Sequence, residues 1–168
     1  KLAKELYNDP KENSEHVMLV DLARNDLSKS SDNVVVETNK EIQYFSHVIH
    51  LVSKVVGELR EGAVPLEMVA ATFPAGTLSG APKHKAMQLI DHYENTSRGY
   101  YGGAIGFMGF DGTFNHAIMI RSFLSQNNHL NFQAGAGVVS KSQPENEVAE
   151  VYNKLAALQN ALEEAEKI

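Results

Sequence analysis

Between Tyr100 and Val139 the chain carries no helical period. Short β-prone runs alternate there with tight-turn residues, and Asp111-Gly112 and Gln126-Asn127-Asn128 are placed as hairpin turns. Helical patterns stand on both sides of this stretch. Glu12–Leu27 repeats Val17, Leu19, Val20, Leu22, Ala23 and Leu27 near a 3.6-residue spacing, with Ser14 or Asn13 as a cap. Pro65–Thr72 and Ala81–Glu94 predict helices with proline in the first turn, the second carrying Ala86, Met87, Leu89 and Ile90 inward. Glu145–Lys167 predicts an amphipathic closing helix. Ser28–Asn33 reads as a polar turn and Val34–Glu37 as a β-branched strand. Tyr44–Leu59 fits both periods, and the alternation of Val48, His50 and Val52 favours strand. Strands gathered in one stretch with helices around them predict an α+β fold rather than a doubly wound parallel sheet.

The loop and helix at 134–154 hold the densest chemistry. Ala134-Gly135-Ala136-Gly137 is a small-residue loop whose backbone N–H groups an anion can approach. The helix behind it carries Glu147, Glu150 and Lys154, which at about 100° per residue share roughly 60° of one face. Two carboxylates and an ammonium beside bare amides suit a hard cation held together with a carboxylate-bearing small molecule. A turn followed by a surface helix with an ordinary Glu150–Lys154 pair is the plainer reading.

Composition removes whole classes. The net charge of -6 over 168 residues, with no basic run, argues against nucleic-acid or anionic-membrane partners. No cysteine is present, which excludes disulfides, zinc thiolates and a thiol nucleophile. Neither a signal peptide nor a membrane-length apolar run is found, so a cytoplasmic location is expected. Gly76-Thr77-Leu78-Ser79-Gly80-Ala81-Pro82-Lys83 is not a phosphate loop: three residues rather than four separate the glycines, and Ala-Pro precedes the lysine. Neither Gly103–Gly109 nor Gly135–Gly137 meets the dinucleotide fingerprint.

Phe73-Pro74-Ala75-Gly76-Thr77-Leu78-Ser79-Gly80-Ala81-Pro82-Lys83, preceded by Asp21-Leu22-Ala23-Arg24-Asn25-Asp26 and His50-Leu51-Val52-Ser53, resembles anthranilate synthase component I. Arg98–Gly103, Ile120-Arg121, Ala134–Gly137 and Pro144–Glu147 follow in the order that family shows, so the likeness runs from about residue 4 to 160. Such an ordered set is specific for the chorismate-utilising enzymes, and Ala75–Ser79 resembles the anthranilate version. Aminodeoxychorismate synthases read Gly-Gly-Ser-Ile-Thr there.

The resemblance implies a two-sheet chorismate-binding (aminodeoxychorismate synthase-like) sandwich with flanking helices. Residues 1–168 would be a single unit, the C-terminal part of its catalytic domain, truncated on the N-terminal side; the opening Lys1 suggests a cut through a larger protein. The implied reaction is the Mg²⁺-dependent conversion of chorismate and ammonia to anthranilate and pyruvate in tryptophan biosynthesis. A separate glutamine amidotransferase subunit (component II) would supply the ammonia. Glu15 and Glu150 would bind Mg²⁺, with Glu147 close by, directly or through water. Lys154 with the Gly135, Ala136 and Gly137 backbone would hold the ring carboxylate, and Tyr101 and Arg121 the enolpyruvyl carboxylate. His50 would act near the ring carbons as an acid/base or orienting group, and Thr77 would hydrogen-bond the substrate.

Without the resemblance, Glu15 and His16 read as a solvated pair, His50 as a core or edge histidine, Arg121 as the solvent-exposed end of a strand, and Tyr101 as core. Glu94 reads as a structural partner of Arg98. The alternatives are an aminodeoxychorismate or isochorismate/salicylate synthase and, from another class, a non-catalytic interaction domain whose open sheet edges favour a homo-oligomer. The 168-residue chain alone is expected to be weakly active or inactive.

Overall fold

The computed structural model describes residues 1–45 and 48–167. Its α-carbon contacts divide the chain into two compact units, Lys1–Asp91 and His92–Ile168.

The first unit opens with α1 (Leu2–Asn8) and α2 (Pro10–Leu27). The α2 cap is Asp9, not Ser14 or Asn13: its carboxylate accepts from the amides of Lys11 (2.8 Å) and Glu12 (3.0 Å). Pro10 fills the first helical position, where its missing N–H costs nothing, so the helix starts two residues earlier than the apolar period suggests. β1 (Ser31–Tyr44) and β2 (Ile49–Leu59) form a two-stranded antiparallel sheet. Tyr44–Leu59 is therefore strand over its described β2 portion, and its residues 46 and 47 lie outside the described residues.

β1 runs well beyond Val34–Glu37 and takes the last three residues of the expected turn. The polar run Thr38–Glu41 hid it, because an exposed strand edge tolerates polar side chains. The ladder to β2 holds it through register shifts near Asn33 and Lys40, both at positive φ. α3 (Pro65–Thr72) matches its expected bounds. A 3₁₀ turn follows at Gly76–Leu78, then α4 (Lys83–Tyr93). Pro82 stands just ahead of α4, its carbonyl accepting from the Ala86 amide at 3.0 Å. Met87 and Leu89 on α4 are exposed rather than inward.

In the second unit, β3 (Ala104–Met108) pairs with β4 (Phe114–Ile118), and β5 (Leu124–Gln126) with β6 (His129–Asn131). Both expected turns are present. Asp111 Oδ1 accepts from the Thr113 amide (3.0 Å) and hydroxyl (2.7 Å), while Gly112 takes φ +85°. Asn127 and Asn128 both lie in the left-handed region, as a two-residue turn of right-handed twist requires. The Tyr100 hydroxyl stands 2.8 Å from the carbonyls of Ser122 and Asn131, tying the β5–β6 hairpin to the turn before β3. α5 (Pro144–Ala165) closes the chain.

Among the described residues the buried apolar side chains are Leu22, Tyr101 and Leu158, whereas Ile105, Phe107 and Phe110 stand in solvent. The accessible area is 12037 Å². One folded body of this mass exposes about 8,200 Å², and two separate half-sized bodies about 9,900 Å². The chain's area exceeds both figures, and large apolar side chains contribute to it. No helix among the described residues is long and apolar enough to cross a membrane.

Candidate active site

The expected site residues fall on both units. In the first, Glu15 is half-buried on α2 with its carboxylate 3.6 Å from Lys11 Nζ. One residue on, His16 Nε2 lies 2.6 Å from the Ser53 hydroxyl of β2, and burial followed by the nearby Lys40 charge lowers its pKa. His50 is the second residue of β2, opposite Gln43, with its ring 5.6 Å from that of Phe45. Thr77 is the exposed centre of the 3₁₀ turn.

In the second unit four residues meet. The Lys154 ammonium donates to the Gly135 carbonyl at 2.9 Å and lies 2.6 Å from Glu150 Oε1. Gly135 also backs onto Tyr101: a Cβ there would stand 3.4 Å from the phenol oxygen, and the Gly135 backbone hydrogen-bonds that oxygen. Tyr101 is 9% exposed. Burial pushes its hydroxyl above the ordinary value, with Arg98 and the Gly135 bond opposing and Glu94 adding. Arg98 lies over the Tyr101 ring, 5.7 Å from the centroid, and is gripped by both oxygens of Glu94 at 2.6 and 2.9 Å. That fork holds the Glu94 carboxyl below its usual range and confirms the pair expected from sequence.

Glu147, 8% exposed, precedes Glu150 by three residues in the first turn of α5, where the helix dipole favours a carboxylate. Ala136 and Gly137 continue the loop from Gly135 without regular structure. Arg121 does not lie in a strand. β4 ends at Ile118, and Arg121 follows in the left-handed region (φ +51°) with its side chain exposed.

Among the described residues no group of three or more acidic, histidine or cysteine side chains is gathered as a preformed cation site. The donor chemistry nonetheless fits Mg²⁺, which takes one or two carboxylates and keeps several waters: Glu147 and Glu150 present two such groups on one helix face. Motif reading missed Asp26 and Lys83 as partners, although both stand in the quoted motifs. Two opposite charges, each the last residue of its motif, were the available signal.

Over residues 1–160 the chain matches the chorismate binding enzyme family, and it belongs to that family. It is 51% identical over 170 residues to anthranilate synthase component 1 of Bacillus caldotenax, covering 100% of this chain and 34% of that protein. To the same component of Aquifex aeolicus it is 49% identical, covering 99% and 34%. Anthranilate synthase component I from Streptococcus pneumoniae TIGR4 superposes with a TM-score of 0.85 at 44% identity, over 91% of this chain and 36% of that one. The menaquinone-specific isochorismate synthase from Escherichia coli gives 0.83 at 25% identity, over 94% and 36%. These neighbours bear out the α+β chorismate-enzyme fold. The chain spans about a third of the length of the curated relatives it matches.

Proposed function

We propose that this chain is the C-terminal portion of the catalytic domain of an anthranilate synthase component 1. As part of that protein it converts chorismate and ammonia to anthranilate, pyruvate and water. The observation that carries this reading is the Tyr101–Gly135–Lys154–Glu150 cluster, which sets a phenol, bare backbone and an ammonium beside a carboxylate. An anion and a cation can be held there side by side.

Lys154 and the Gly135–Gly137 backbone receive the ring carboxylate, and Ala136 sets the spacing between the two glycine amides. Tyr101 and Arg121 take the enolpyruvyl carboxylate, the guanidinium through its two-pronged geometry. Thr77 hydrogen-bonds the substrate, and His50 orients or exchanges protons at the ring carbons. Glu15, Glu147 and Glu150 would hold Mg²⁺, which would supply charge neutralisation at the ring carboxylate and polarisation of the conjugated system for loss of the C4 hydroxyl. A glutamine amidotransferase subunit supplies ammonia, and the cytoplasm is the place of action.

Identity of about 50% to anthranilate synthases against 25% to an isochorismate synthase supports this product over its siblings. The test is chromatography of products after incubating the full-length protein, and separately this chain, with chorismate, Mg²⁺ and ammonium. Anthranilate from the full-length protein supports the reading. Isochorismate, salicylate or aminodeoxychorismate in its place moves the assignment to a sibling.

A further inference from the structure

Asp26 and Lys83 carry charges at helix ends where each is disfavoured. Asp26 stands in the last turn of α2, at the negative end of the helix dipole, and Lys83 opens α4, at the positive end. Both are nearly buried, with side chains 5% and 12% exposed. Local preference broken twice by two residues that meet marks a place where geometry is being held. Lys83 Nζ lies 2.6 Å from Asp26 Oδ2 and donates to the Thr72 carbonyl, also at 2.6 Å. Lys29 Nζ takes the other Asp26 oxygen at 3.0 Å.

Thr72 ends α3 and Lys83 begins α4, so this one ammonium clamps both ends of the intervening loop, residues 73–82. A second attachment lies one turn earlier on α2. Gly76 closes on Leu22 so tightly that a Cβ would stand 2.7 Å from Leu22 Cδ2. Leu22 and Asp26 are four residues apart on one helix face, and Thr77 follows Gly76 directly.

We propose that the Asp26–Lys83 ion pair is a positioning device that fixes the 73–82 loop on α2 and so sets where Thr77 is presented to substrate. The pair touches no reacting atom; it acts through the loop. A buried ion pair adds little net stability over apolar replacements, and its best-attested use is in specifying one geometry. The substrate part of the proposal rests on the function proposed above.

The test is hydrogen exchange with steady-state kinetics on the full-length protein carrying Lys83→Met, which keeps the stem and removes the ammonium. The expected result is at least tenfold faster exchange of amides in residues 75–81, with β1 and β2 amides within twofold of wild type. The chorismate KM rises at least tenfold while kcat falls less than threefold. Unchanged loop exchange overturns the proposal, and so does equal acceleration throughout the first unit, or faster loop exchange with KM unmoved. If Lys83→Met does not fold, the Asp26→Asn/Lys83→Met pair, which removes both buried charges together, is judged by the same results. A wild-type protein that turns over no chorismate overturns the function instead, and the exchange comparison still decides the clamp.

Discussion

Lys154 and Glu150 stand one helical turn apart with the ammonium 2.6 Å from the carboxylate, and the same ammonium donates to the Gly135 carbonyl. The lysine therefore joins the loop to the helix and neutralises a carboxylate that the proposed chemistry assigns to a metal. A cation arriving at Glu150 competes with Lys154 for it. The pair is about one-third exposed on each side, so the competition is worth at most about 1 kcal/mol.

Lys154→Met should accordingly bind Mg²⁺ about two- to fivefold more tightly when no chorismate is present, and chorismate more weakly. Calorimetric titration with Mg²⁺ alone checks the first effect. Weaker Mg²⁺ binding would mean that Lys154 is needed to aim Glu150.

Glu150→Gln keeps the shape of the side chain and removes its charge. In the full-length protein it should lower Mg²⁺-dependent turnover by about a hundredfold or more, while the melting temperature stays within about 3 °C. Calorimetry beside kinetics separates the two effects, and a large fall in melting temperature would identify Glu150 as a structural partner.

Much of this molecule was legible in its residues because most of its elements close locally. Pro65–Thr72, the two hairpin turns and the closing helix rest on proline placement, paired asparagines and an unbroken apolar period, all properties of neighbouring residues. The long β1 was not legible: Thr38–Glu41 is polar, and only pairing with β2 makes it strand. The start of α2 was signalled by Asp9-Pro10, which the apolar period outweighed. The Lys154–Gly135 and Asp26–Lys83 contacts join residues 19 and 57 positions apart, separations over which periodicity carries no information.

Tyr101 should leave a signature at high pH. Burial raises its hydroxyl above 10, so the folded state favours the neutral phenol. That contribution is fully present below the unfolded value near 10 and is lost as pH rises through the higher folded value. Urea unfolding between pH 8 and 11 should show stability falling at the alkaline end, and Tyr101→Phe should flatten the fall.

Arg121→Lys retains the charge at an exposed position beyond β4 but loses the fork. The chorismate KM should rise about tenfold, with the melting temperature unchanged. Steady-state kinetics on the full-length protein checks this, and an unaltered KM removes Arg121 from the substrate contacts.

Phe107 and Ile105 stand in solvent on β3. The 168-residue chain on its own should bind a hydrophobic fluorescent dye and sediment faster with rising concentration, and Phe107→Thr with Ile105→Thr should reduce both. A compact monomer that leaves the dye dark would contradict this.

Each sheet among the described residues is a pair of strands consecutive in the chain, and the widest pairing, Ser31 with Leu59, spans 28 positions. Within the described residues, each of these pairings joins neighbours in the sequence. Each of these hairpins can zip as soon as its second strand leaves the ribosome, because the loop it closes is short. The apolar side chains of these hairpins still stand uncovered after their strands have paired, and that interval is when a chaperone would find most to hold.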